Sequence, residues 1–300
     1  GVTGSIPVSP ITLSQITYPK PITIVLGLGK SGIAAAQLLN SEEKEVIVIE
    51  KLAENKFTNI SKKIKKEGIQ VEHGKNLEFE NFKNYLPRLE SVVVSPGIPW
   101  DNQTLNKLRE EGVKITSEIS IAWEKLNHIP WIGVTGTNGK TTVTYMLQHI
   151  LKENNFYSLM GGNMGIPACQ IALDLEMISK KKPEYLVIEL SSYQLETLSN
   201  FEPHIAIWTT FTADHLERHG TLENYFKIKS KLLKRASLCI YNQDDDYLFS
   251  QRKKLPKGIW VSTEKERNGN SLADYWINQK GKICEMGEEI IDTSLIFMLG

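Results

Sequence analysis

The sequence has few cysteines, no long hydrophobic run and no signal-peptide pattern, and each absence excludes a class of protein. The three cysteines, Cys169, Cys239 and Cys284, are odd in number and scattered, so they provide neither a disulfide framework nor the spacing of a zinc site. A reducing compartment is therefore expected. No apolar run approaches the roughly 18–20 residues of a membrane span. We predict a cytoplasmic protein that does not associate with membranes.

An excess of charge of one sign is also absent, since 35 Lys and Arg residues balance 35 Asp and Glu residues. This balance argues against an extended nucleic-acid-binding surface, although it leaves room for a local basic pocket for phosphates. The hydrophobic fraction of 41% and the charged fraction of 23% are those of a globular protein. A chain of 300 residues is long for one domain, so we expect two domains. We further expect a monomer.

Short apolar runs alternate with helical stretches along the chain, which is typical of an α/β fold. Strands are predicted at residues 22–26, 46–50, 91–94, 113–116, 131–134, 185–189, 205–208 and 237–241, with weaker signals at 258–262 and 283–286. Helices are predicted at residues 31–39, 104–111, 140–154 and 222–235. The lysine-rich stretch at 61–67 is interpreted as the solvated face of a further helix.

The strongest motif is a glycine-rich loop between the strand at 131–134 and the following helix. It consists of Gly136, Thr137, Asn138, Gly139, Lys140, Thr141 and Thr142. Glycines let backbone N–H groups turn inward around phosphate oxygens, and the start of the helix adds free N–H donors. Lys140 is expected to bridge the terminal phosphates of ATP, and the Thr141 hydroxyl to reach magnesium. The standard spacing has glycine where Val134 stands, so the loop is a shortened variant.

A magnesium ligand is expected at the end of a neighbouring strand. The predicted strand at 185–189 ends in Glu189 after four residues of the buried type. Magnesium prefers oxygen ligands, usually one or two carboxylates together with phosphate and water. The pair Asp214-His215 is a weaker signal, because such a pair more often belongs to a hydrogen-bonded loop.

The strand at 22–26 is followed by a second glycine-rich turn, Gly27-Leu28-Gly29-Lys30-Ser31-Gly32, which opens a helix. This turn fits the dinucleotide-binding fingerprint, and Glu50 ends the next strand where a ribose-binding acid is expected. Taken alone, it indicates an NAD-dependent oxidoreductase. A helix N-terminus binds any pyrophosphate, however, including that of a UDP-linked substrate. Two nucleotide sites in adjacent domains suggest a transfer between their ligands.

Taken together, these motifs resemble those of the Mur ligases and the related folylpolyglutamate synthases. The loop at 136–142 resembles their ATP loop, and four further segments narrow the resemblance to the Mur ligases that add D-glutamate to UDP-N-acetylmuramoyl-L-alanine. These segments are Ser95-Pro96-Gly97-Ile98-Pro99, Gly161-Gly162-Asn163-Met164-Gly165, Glu189-Leu190-Ser191-Ser192-Tyr193-Gln194-Leu195-Glu196 and Asp214-His215-Leu216-Glu217-Arg218. With the first glycine turn, they extend the resemblance from about residue 21 to the end of the chain.

The resemblance implies a flexible arm at residues 1–20, an N-terminal Rossmann-like domain for the UDP group at 21–128 and a central P-loop ATPase-like α/β domain at 129–300. It also implies a third, C-terminal domain that binds the incoming amino acid and closes over ATP. The chain ends about where that domain begins. We therefore expect it to lack the D-glutamate pocket and to be inactive or nearly so.

The same resemblance implies the reaction and its cofactors. ATP phosphorylates the carboxylate of UDP-N-acetylmuramoyl-L-alanine, and the amine of D-glutamate then displaces phosphate, in peptidoglycan precursor synthesis. Lys140 and Thr141 would hold the phosphates and one magnesium ion, and His215 would serve a second ion. The residues carried over to the UDP-substrate site are Gly29, Lys30, Ser31, Ser95, Asn163 and His215.

The family also has a carbamylated lysine that supports magnesium, and Tyr225-x-x-x-Lys229 matches that motif. The surrounding segment is lysine-rich, so a slip onto Lys227 or Lys231 stays open. As a lone lysine, Lys229 would be interpreted as a solvated helix residue. The predicted magnesium ligands are therefore Thr141, Glu189, His215 and Lys229, and the predicted catalytic residues are Lys140, Glu189, His215 and Lys229.

Three other interpretations remain open from the sequence. A folylpolyglutamate-type synthase normally has its phosphate loop near the chain start, whereas about 130 residues precede the loop here. An NAD-dependent oxidoreductase leaves the loop at 136–142 unexplained. A non-catalytic nucleotide-binding module fits a chain without its third domain.

Overall fold

The chain folds around two parallel β-sheets that follow one another in sequence. The computed structural model describes residues 20–178, 181–263, 273–278, 280–285 and 287–295. The predicted arm at 1–20 lies outside these residues except for Lys20. We call the part around the first sheet, residues 22–126, the first unit, and the part around the second sheet, residues 131–295, the second unit.

The first sheet has five strands in the order β3-β2-β1-β4-β5, and all neighbours are parallel. Its strands are β1 (Ile22–Leu26), β2 (Glu45–Glu50), β3 (Gln70–His73), β4 (Leu89–Val94) and β5 (Lys114–Ser117). The strand order reverses between β1 and β4, so the loops that follow these two strands lie side by side, at the place where open parallel sheets usually bind ligands. The predicted Rossmann-like parallel sheet is confirmed.

Four helices accompany this sheet in the described part of the first unit: α1 (Lys30–Ser41), α2 (Thr58–Lys66), α3 (Gln103–Glu110) and α4 (Glu118–Leu126). The lysines of α2 are exposed as predicted, while Ser61 and Ile64 on its other side are buried. The sequence analysis did not predict α4 or β3. The strand β3 is short, polar and at the sheet edge, so it lacks the apolar run on which the prediction depends.

The second sheet, within the described residues, has nine strands in the order β14-β13-β12-β11-β10-β9-β6-β8-β7. They are β6 (Trp131–Thr135), β7 (Ser158–Gly162), β8 (Tyr185–Glu189), β9 (Ile205–Trp208), β10 (Leu238–Asn242), β11 (Ile259–Ser262), β12 (Tyr275–Ile277), β13 (Lys282–Glu285) and β14 (Glu288–Asp292). The seven strands from β6 to β12 are parallel to one another, and β13 and β14 continue the sheet beyond β12 as an antiparallel extension. The predicted strand at 283–286 corresponds to β13, although residue 286 lies outside the described residues.

The helices described in the second unit are α5 (Lys140–Glu153), α6 (Ala168–Ile178), α7 (Ser192–Thr197), α8 (Leu216–His219), α9 (Leu222–Lys229) and α10 (Asp246–Ser250). The predicted helix at 222–235 is too long, because α9 ends at Lys229 and a 3₁₀ turn, Ser230–Leu232, follows. The Ser230 hydroxyl donates to the Lys227 carbonyl at 2.8 Å. Such a local bond satisfies a carbonyl at the helix end and accompanies the tighter turn.

An aromatic cluster of Trp123, Trp131 and Phe201 joins the two units. The three rings meet edge to face, with centroids 4.7–5.6 Å apart. Trp131 is fully buried at the start of β6, and its indole N–H donates to the Leu126 carbonyl at the end of α4 at 3.1 Å. Aromatic rings in this arrangement stabilise each other beyond the area that they bury. The first strand of the second unit is therefore anchored on the last helix of the first.

A buried carboxylate makes a second connection between the units. Glu118, at the start of α4, accepts a hydrogen bond from the Cys169 N–H at the start of α6 at 2.6 Å. Burial raises the pKa of this carboxyl group to about 7. Helices α1 and α4 both pack against α6, so the interface between the units is built largely from helices.

Replacing Trp131 with alanine tests the importance of the aromatic cluster. The substitution leaves a cavity beneath two aromatic rings, and we expect a loss of about 3–5 kcal/mol in the free energy of unfolding. Urea unfolding followed by circular dichroism measures this loss. The matched control is Met177→Ala, because Met177 is 74% exposed on α6 and its loss should cost about 0.5 kcal/mol or less. Equal losses in the two variants would contradict the conclusion that the aromatic cluster anchors β6 on α4.

Candidate nucleotide and magnesium site

The glycine-rich loop at 136–139 is held by the loop that follows β9, the neighbour of β6 in the sheet. Thr137 N–H donates to the Thr210 carbonyl at 2.8 Å, and Asn138 N–H donates to the Thr210 hydroxyl at 2.9 Å. The Thr209 hydroxyl donates in turn to the Asn138 carbonyl at 2.6 Å. A Cβ atom on Gly136 would lie 1.9 Å from Thr209 Oγ1, so only glycine permits this approach. These contacts fix the path of the loop.

The loop ends at the N-terminus of α5, as predicted. Gly139 is the N-cap residue and has a left-handed backbone with φ 79°, which glycine adopts without strain. No side chain caps this helix, so its first N–H groups are free to bind an anion. The Lys140 ammonium group donates to the Thr137 carbonyl at 2.9 Å and thus lies over the loop. These features suit a phosphate group.

Glu189 lies at the end of β8, which pairs with β6 through Val134 and Glu189. Its residue exposure is 2%, and its two carboxylate oxygens accept one side-chain hydrogen bond each. The Thr141 hydroxyl donates to Oε2 and the Asn163 amide donates to Oε1, both at 2.8 Å. We call Thr141, Asn163 and Glu189 the Glu189 cluster. It brings together three residues that the sequence analysis singled out.

The donor set of the Glu189 cluster fits a magnesium ion. Each carboxylate oxygen has a second lone pair beyond the hydrogen bond that it accepts, and the Thr141 hydroxyl adds a further oxygen. Within the described residues, no group of three or more His, Cys, Asp or Glu side chains is arranged to hold a metal ion. A magnesium ion at this cluster would take one carboxylate and one hydroxyl from the protein, which is the sparse ligand set that magnesium–nucleotide complexes use.

His215 has different contacts. Its backbone is left-handed with φ 52°, at the turn into α8. Its Nδ1 atom lies 3.3 Å from the Tyr193 hydroxyl, and its Nε2 atom lies 3.4 Å from a carboxylate oxygen of Asp214. These partners do not belong to the Glu189 cluster. The structure thus brings Thr141, Asn163 and Glu189 together and leaves His215 in a separate, half-exposed group.

Lys229 is buried at the end of α9, contrary to the expectation for a lone lysine in a lysine-rich segment. Its residue exposure is 1%, and its ammonium group donates to the Gly136 carbonyl at 2.7 Å. Burial, followed by the nearby charge of Lys140, lowers the pKa of Lys229 to about 7. Of the two alternative lysines, Lys227 is exposed and Lys231 donates to the Glu196 carbonyl. Lys229 is therefore the one that contacts the phosphate loop.

Sequence reasoning missed the residues that support the loop from β9. Thr209 and Thr210 make four of its hydrogen bonds. Both threonines follow a predicted strand directly. That position was the available signal, but threonine is too common after strands to stand out.

The first glycine turn lies in the crevice between β1 and β4. The Ser95 hydroxyl, just after β4, donates to the Leu26 carbonyl and fixes the two loops together. Gly29 is the N-cap residue of α1 with no side-chain cap, and Lys30 is exposed beside it. Ser31 follows in the first turn and is half-buried. The free N–H groups of this turn also suit a phosphate.

Glu50 is engaged within the protein. Its carboxylate accepts the Leu28 N–H at 2.8 Å and the Leu52 N–H at 2.9 Å, and the residue is buried. Glu50 therefore stabilises the glycine turn.

These features define the class of protein: a two-sheet α/β protein with a phosphate loop on the second sheet and a second glycine-rich turn, at a helix N-terminus, on the first. Two family models cover most of the chain. The model of the Mur ligase middle domain matches residues 134–296. The model of the MurD-like N-terminal domain of Mur ligases matches residues 21–117. The chain belongs to the Mur ligase family.

Curated relatives agree with this assignment. The UDP-N-acetylmuramoylalanine–D-glutamate ligase of Prochlorococcus marinus is 48% identical over 96% of this chain and 61% of its own length. The ligase of the same name from a Synechococcus species is 50% identical over 87% of this chain and 57% of its own length. The chain thus spans about three fifths of the length of these relatives.

Two solved structures share the fold. A UDP-N-acetylmuramate:L-alanyl-γ-D-glutamyl-meso-diaminopimelate ligase from Neisseria meningitides has a TM-score of 0.59 at 15% identity, covering 90% of this chain and 86% of that one. A murein peptide ligase from Psychrobacter arcticus has a TM-score of 0.54 at 18% identity, covering 88% of this chain and 58% of that one. At these identities the likeness concerns the fold alone. No described helix has both the length and the apolar character needed to cross a membrane.

The low pKa of Lys229 predicts a pH dependence of stability. Between the folded pKa of about 7 and the ordinary value of 10.5, the folded state binds fewer protons than the unfolded chain. The free energy of unfolding therefore rises with pH in this window. Compared with Lys229→Met, the unsubstituted chain should gain about 2 kcal/mol between about pH 7 and pH 9.

The measurement is urea unfolding at both pH values in degassed buffer, because dissolved carbon dioxide reacts with a neutral amine. Lys227→Met is the matched control, since Lys227 lies on the same helix but is exposed, and it should keep the pH dependence of the unsubstituted chain. A Lys229→Met variant with that same dependence would show that the buried amine is fully charged at pH 7.

Proposed function

We propose that this chain is the nucleotide-binding part of an ATP-dependent ligase that joins D-glutamate to UDP-N-acetylmuramoyl-L-alanine in peptidoglycan precursor synthesis. The Glu189 cluster carries the proposal, because it links the phosphate loop through Thr141 to the loop at 161–165 through Asn163. A phosphoryl donor on one loop and an acceptor on the other would meet there. The identity to curated D-glutamate ligases supports this choice of substrates.

The reaction begins by giving the substrate carboxylate a better leaving group. A carboxylate does not react with an amine because its leaving group would be oxide. Transfer of the γ-phosphoryl group of ATP to the carboxylate gives an acyl phosphate and ADP. The amine of D-glutamate then attacks the acyl carbon and displaces inorganic phosphate. Catalysis of phosphoryl transfer depends mainly on positioning and on neutralising charge.

The phosphate loop would supply most of that neutralisation. Its backbone N–H groups and the N-terminus of α5 would bind the phosphates, and Lys140 would move from the Thr137 carbonyl onto the terminal phosphate oxygens. Residues Gly136, Thr137, Asn138, Gly139, Lys140, Thr141 and Thr142 form this ATP site. Thr141 and Glu189 would hold one magnesium ion, and His215 and Lys229 would support a second. Magnesium would shield the charge that develops on the phosphate oxygens.

Lys229 would support magnesium as a carbamate. The ammonium group first loses one proton, and the neutral amine then adds to carbon dioxide and releases a second proton. The cationic side chain thereby becomes an anion with two oxygens. The pKa of about 7 leaves a large fraction of Lys229 neutral near pH 7, so the environment supports this reaction. Its contact with the Gly136 carbonyl would bring the carbamate to the phosphate loop.

The UDP-linked substrate would bind at the first unit. Gly29, Lys30 and Ser31 would bind its pyrophosphate at the N-terminus of α1, with Ser95 on the opposite side of the crevice. Asn163 and His215 would contact the substrate near the reacting carboxylate. A monomeric state and a cytoplasmic location complete the proposal.

Phosphate release tests the function. We expect a version of this chain extended at its C-terminus to release phosphate when given ATP, magnesium, UDP-N-acetylmuramoyl-L-alanine and D-glutamate. Phosphate release should stop when either UDP-N-acetylmuramoyl-L-alanine or D-glutamate is omitted. In the extended protein, Lys229→Ala should lose ligation by at least about 100-fold while an ATP analogue still binds, because one metal-supporting group is removed. Phosphate release that does not depend on D-glutamate would refute the proposed substrates. A fully active Lys229→Ala variant would refute the proposed role of carbamylated Lys229.

The affinity for ATP tests the loop itself. Gly136→Ala forces a Cβ atom against Thr209, and overpacking of this kind costs about 1–3 kcal/mol. We expect affinity for a non-hydrolysable ATP analogue to fall about tenfold or more, measured by isothermal titration calorimetry on the 300-residue chain. Gly97→Ala is the control, because a Cβ atom at Gly97 meets nothing within 4 Å. Unchanged affinity in Gly136→Ala would mean that ATP binds elsewhere.

A further inference from the structure

Arg218 contacts both units at once. It lies in α8, three residues after His215, and its side chain is 11% exposed. The guanidinium group donates two hydrogen bonds to one carboxylate oxygen of Glu196, from Nε at 3.2 Å and from Nη2 at 2.7 Å. Nη2 also donates to the Ile98 carbonyl at 2.8 Å. Ile98 belongs to the loop after β4, so this bond crosses from the second unit to the first.

Each end of this connection reaches a proposed ligand site. On the first unit, the loop that contains Ile98 begins at Ser95, which holds the glycine turn after β1. On the second unit, the guanidinium group stacks on the Tyr193 ring, with its carbon 5.0 Å from the ring centroid. The Tyr193 hydroxyl is 3.3 Å from His215 Nδ1. Arg218 therefore lies between the loop after β4, at the proposed UDP site, and the turn that contains His215.

The connection extends one step further toward the phosphate loop. Thr212 precedes Asp214 and His215 in the same loop, and its N–H donates to the Thr137 hydroxyl of the phosphate loop at 3.0 Å. That hydroxyl donates in turn to the Thr212 carbonyl at 3.1 Å. A shift of the turn at 214–218 would therefore reach Thr137 along the chain.

The chemistry of the guanidinium group suits this role. Its planar fork donates in several directions at once, so it can satisfy a carboxylate and a carbonyl together, whereas an ammonium group on a flexible stem is a point charge. Glu196, in the second unit, balances the charge of Arg218. The bond from Arg218 to the neutral Ile98 carbonyl is therefore the contact that depends on the first unit.

We propose that Arg218 is a positioning residue that couples the two ligand sites, so that a UDP-linked ligand on the first unit strengthens the binding of magnesium-ATP on the second. The inference rests on the proposed function. A ligand at the glycine turn and Ser95 orders the loop at 95–99, whose Ile98 carbonyl then holds Arg218, Tyr193 and His215 in place. The second ligand meets a site that is already ordered and binds more tightly.

A double-ligand measurement on the 300-residue chain tests this coupling. Isothermal titration calorimetry gives the affinity for a non-hydrolysable ATP analogue with magnesium, first alone and then with saturating UDP-N-acetylmuramoyl-L-alanine. We expect the second affinity to be about fivefold or more above the first, which is the usual lower range of coupling between sites. In Arg218→Met the ratio of the second affinity to the first should fall to about two or less. The affinity for the ATP analogue alone should stay within about threefold of that of the unsubstituted chain.

Two further variants separate the Ile98 bond from a plain ion pair. Glu196→Gln removes the negative charge but keeps an acceptor for Arg218, so the ratio should be retained. Arg235→Met is the matched control, because Arg235 pairs with Glu202 at 2.7 Å within the second unit and both side chains are more than half exposed. It should also retain the ratio. Should Arg218→Met not fold, Arg218→Lys replaces it with the same expected loss, since an ammonium group does not span both acceptors.

The outcomes distinguish a failure of the proposed function from a failure of the coupling role of Arg218. Failure of the unsubstituted chain to bind either ligand refutes the proposed function. Binding of both ligands with a ratio near one in the unsubstituted chain, or an unchanged ratio in the Arg218 variant, overturns the coupling role alone. A lower melting temperature in Arg218→Met with an intact ratio assigns Arg218 to stability and likewise overturns it.

Discussion

The close approach of two loops at Gly136 is the constraint on which the site depends. With no side chain at this position, the backbone after β6 lies against Thr209 after β9, and the hydrogen bonds of Thr137 and Asn138 follow from that contact. The same path turns the Gly136 carbonyl toward the Lys229 ammonium. The loop is thus shaped by its neighbours in the sheet.

This arrangement explains why the protein buries a lysine. An ammonium group loses hydration when it is buried, and one carbonyl, one hydroxyl at 3.4 Å and an aromatic ring replace only part of it. The unfavourable balance lowers the pKa of Lys229 and makes the amine available for chemistry. A role in stability alone would be served better by an apolar side chain of similar length. The burial of Lys229 is therefore an argument for function.

The sequence predicted the central strands well, because β1, β8 and β9 are continuous apolar runs that end in turn or polar residues. It also predicted that Thr141 and Glu189 converge, since the ends of neighbouring parallel strands meet at one edge. It missed β7, whose last residues are two glycines, and α6, whose residues are mostly apolar and show little periodicity. Those elements are specified by packing against α1, α4 and β8, which no local pattern reveals.

The connections between the units are of two kinds, and this difference bears on how the units can communicate. The aromatic cluster around Trp131 and the packing of α1 and α4 on α6 are apolar and buried, so moving them would expose a large area to water. Arg218, in contrast, joins two loops through directional hydrogen bonds that can break and reform at small cost. The units are therefore expected to keep one relative position while the loops at 95–99 and 214–218 adjust between them. Communication between the two ligand sites then requires only a local change in loops, on a framework that the tryptophans hold fixed.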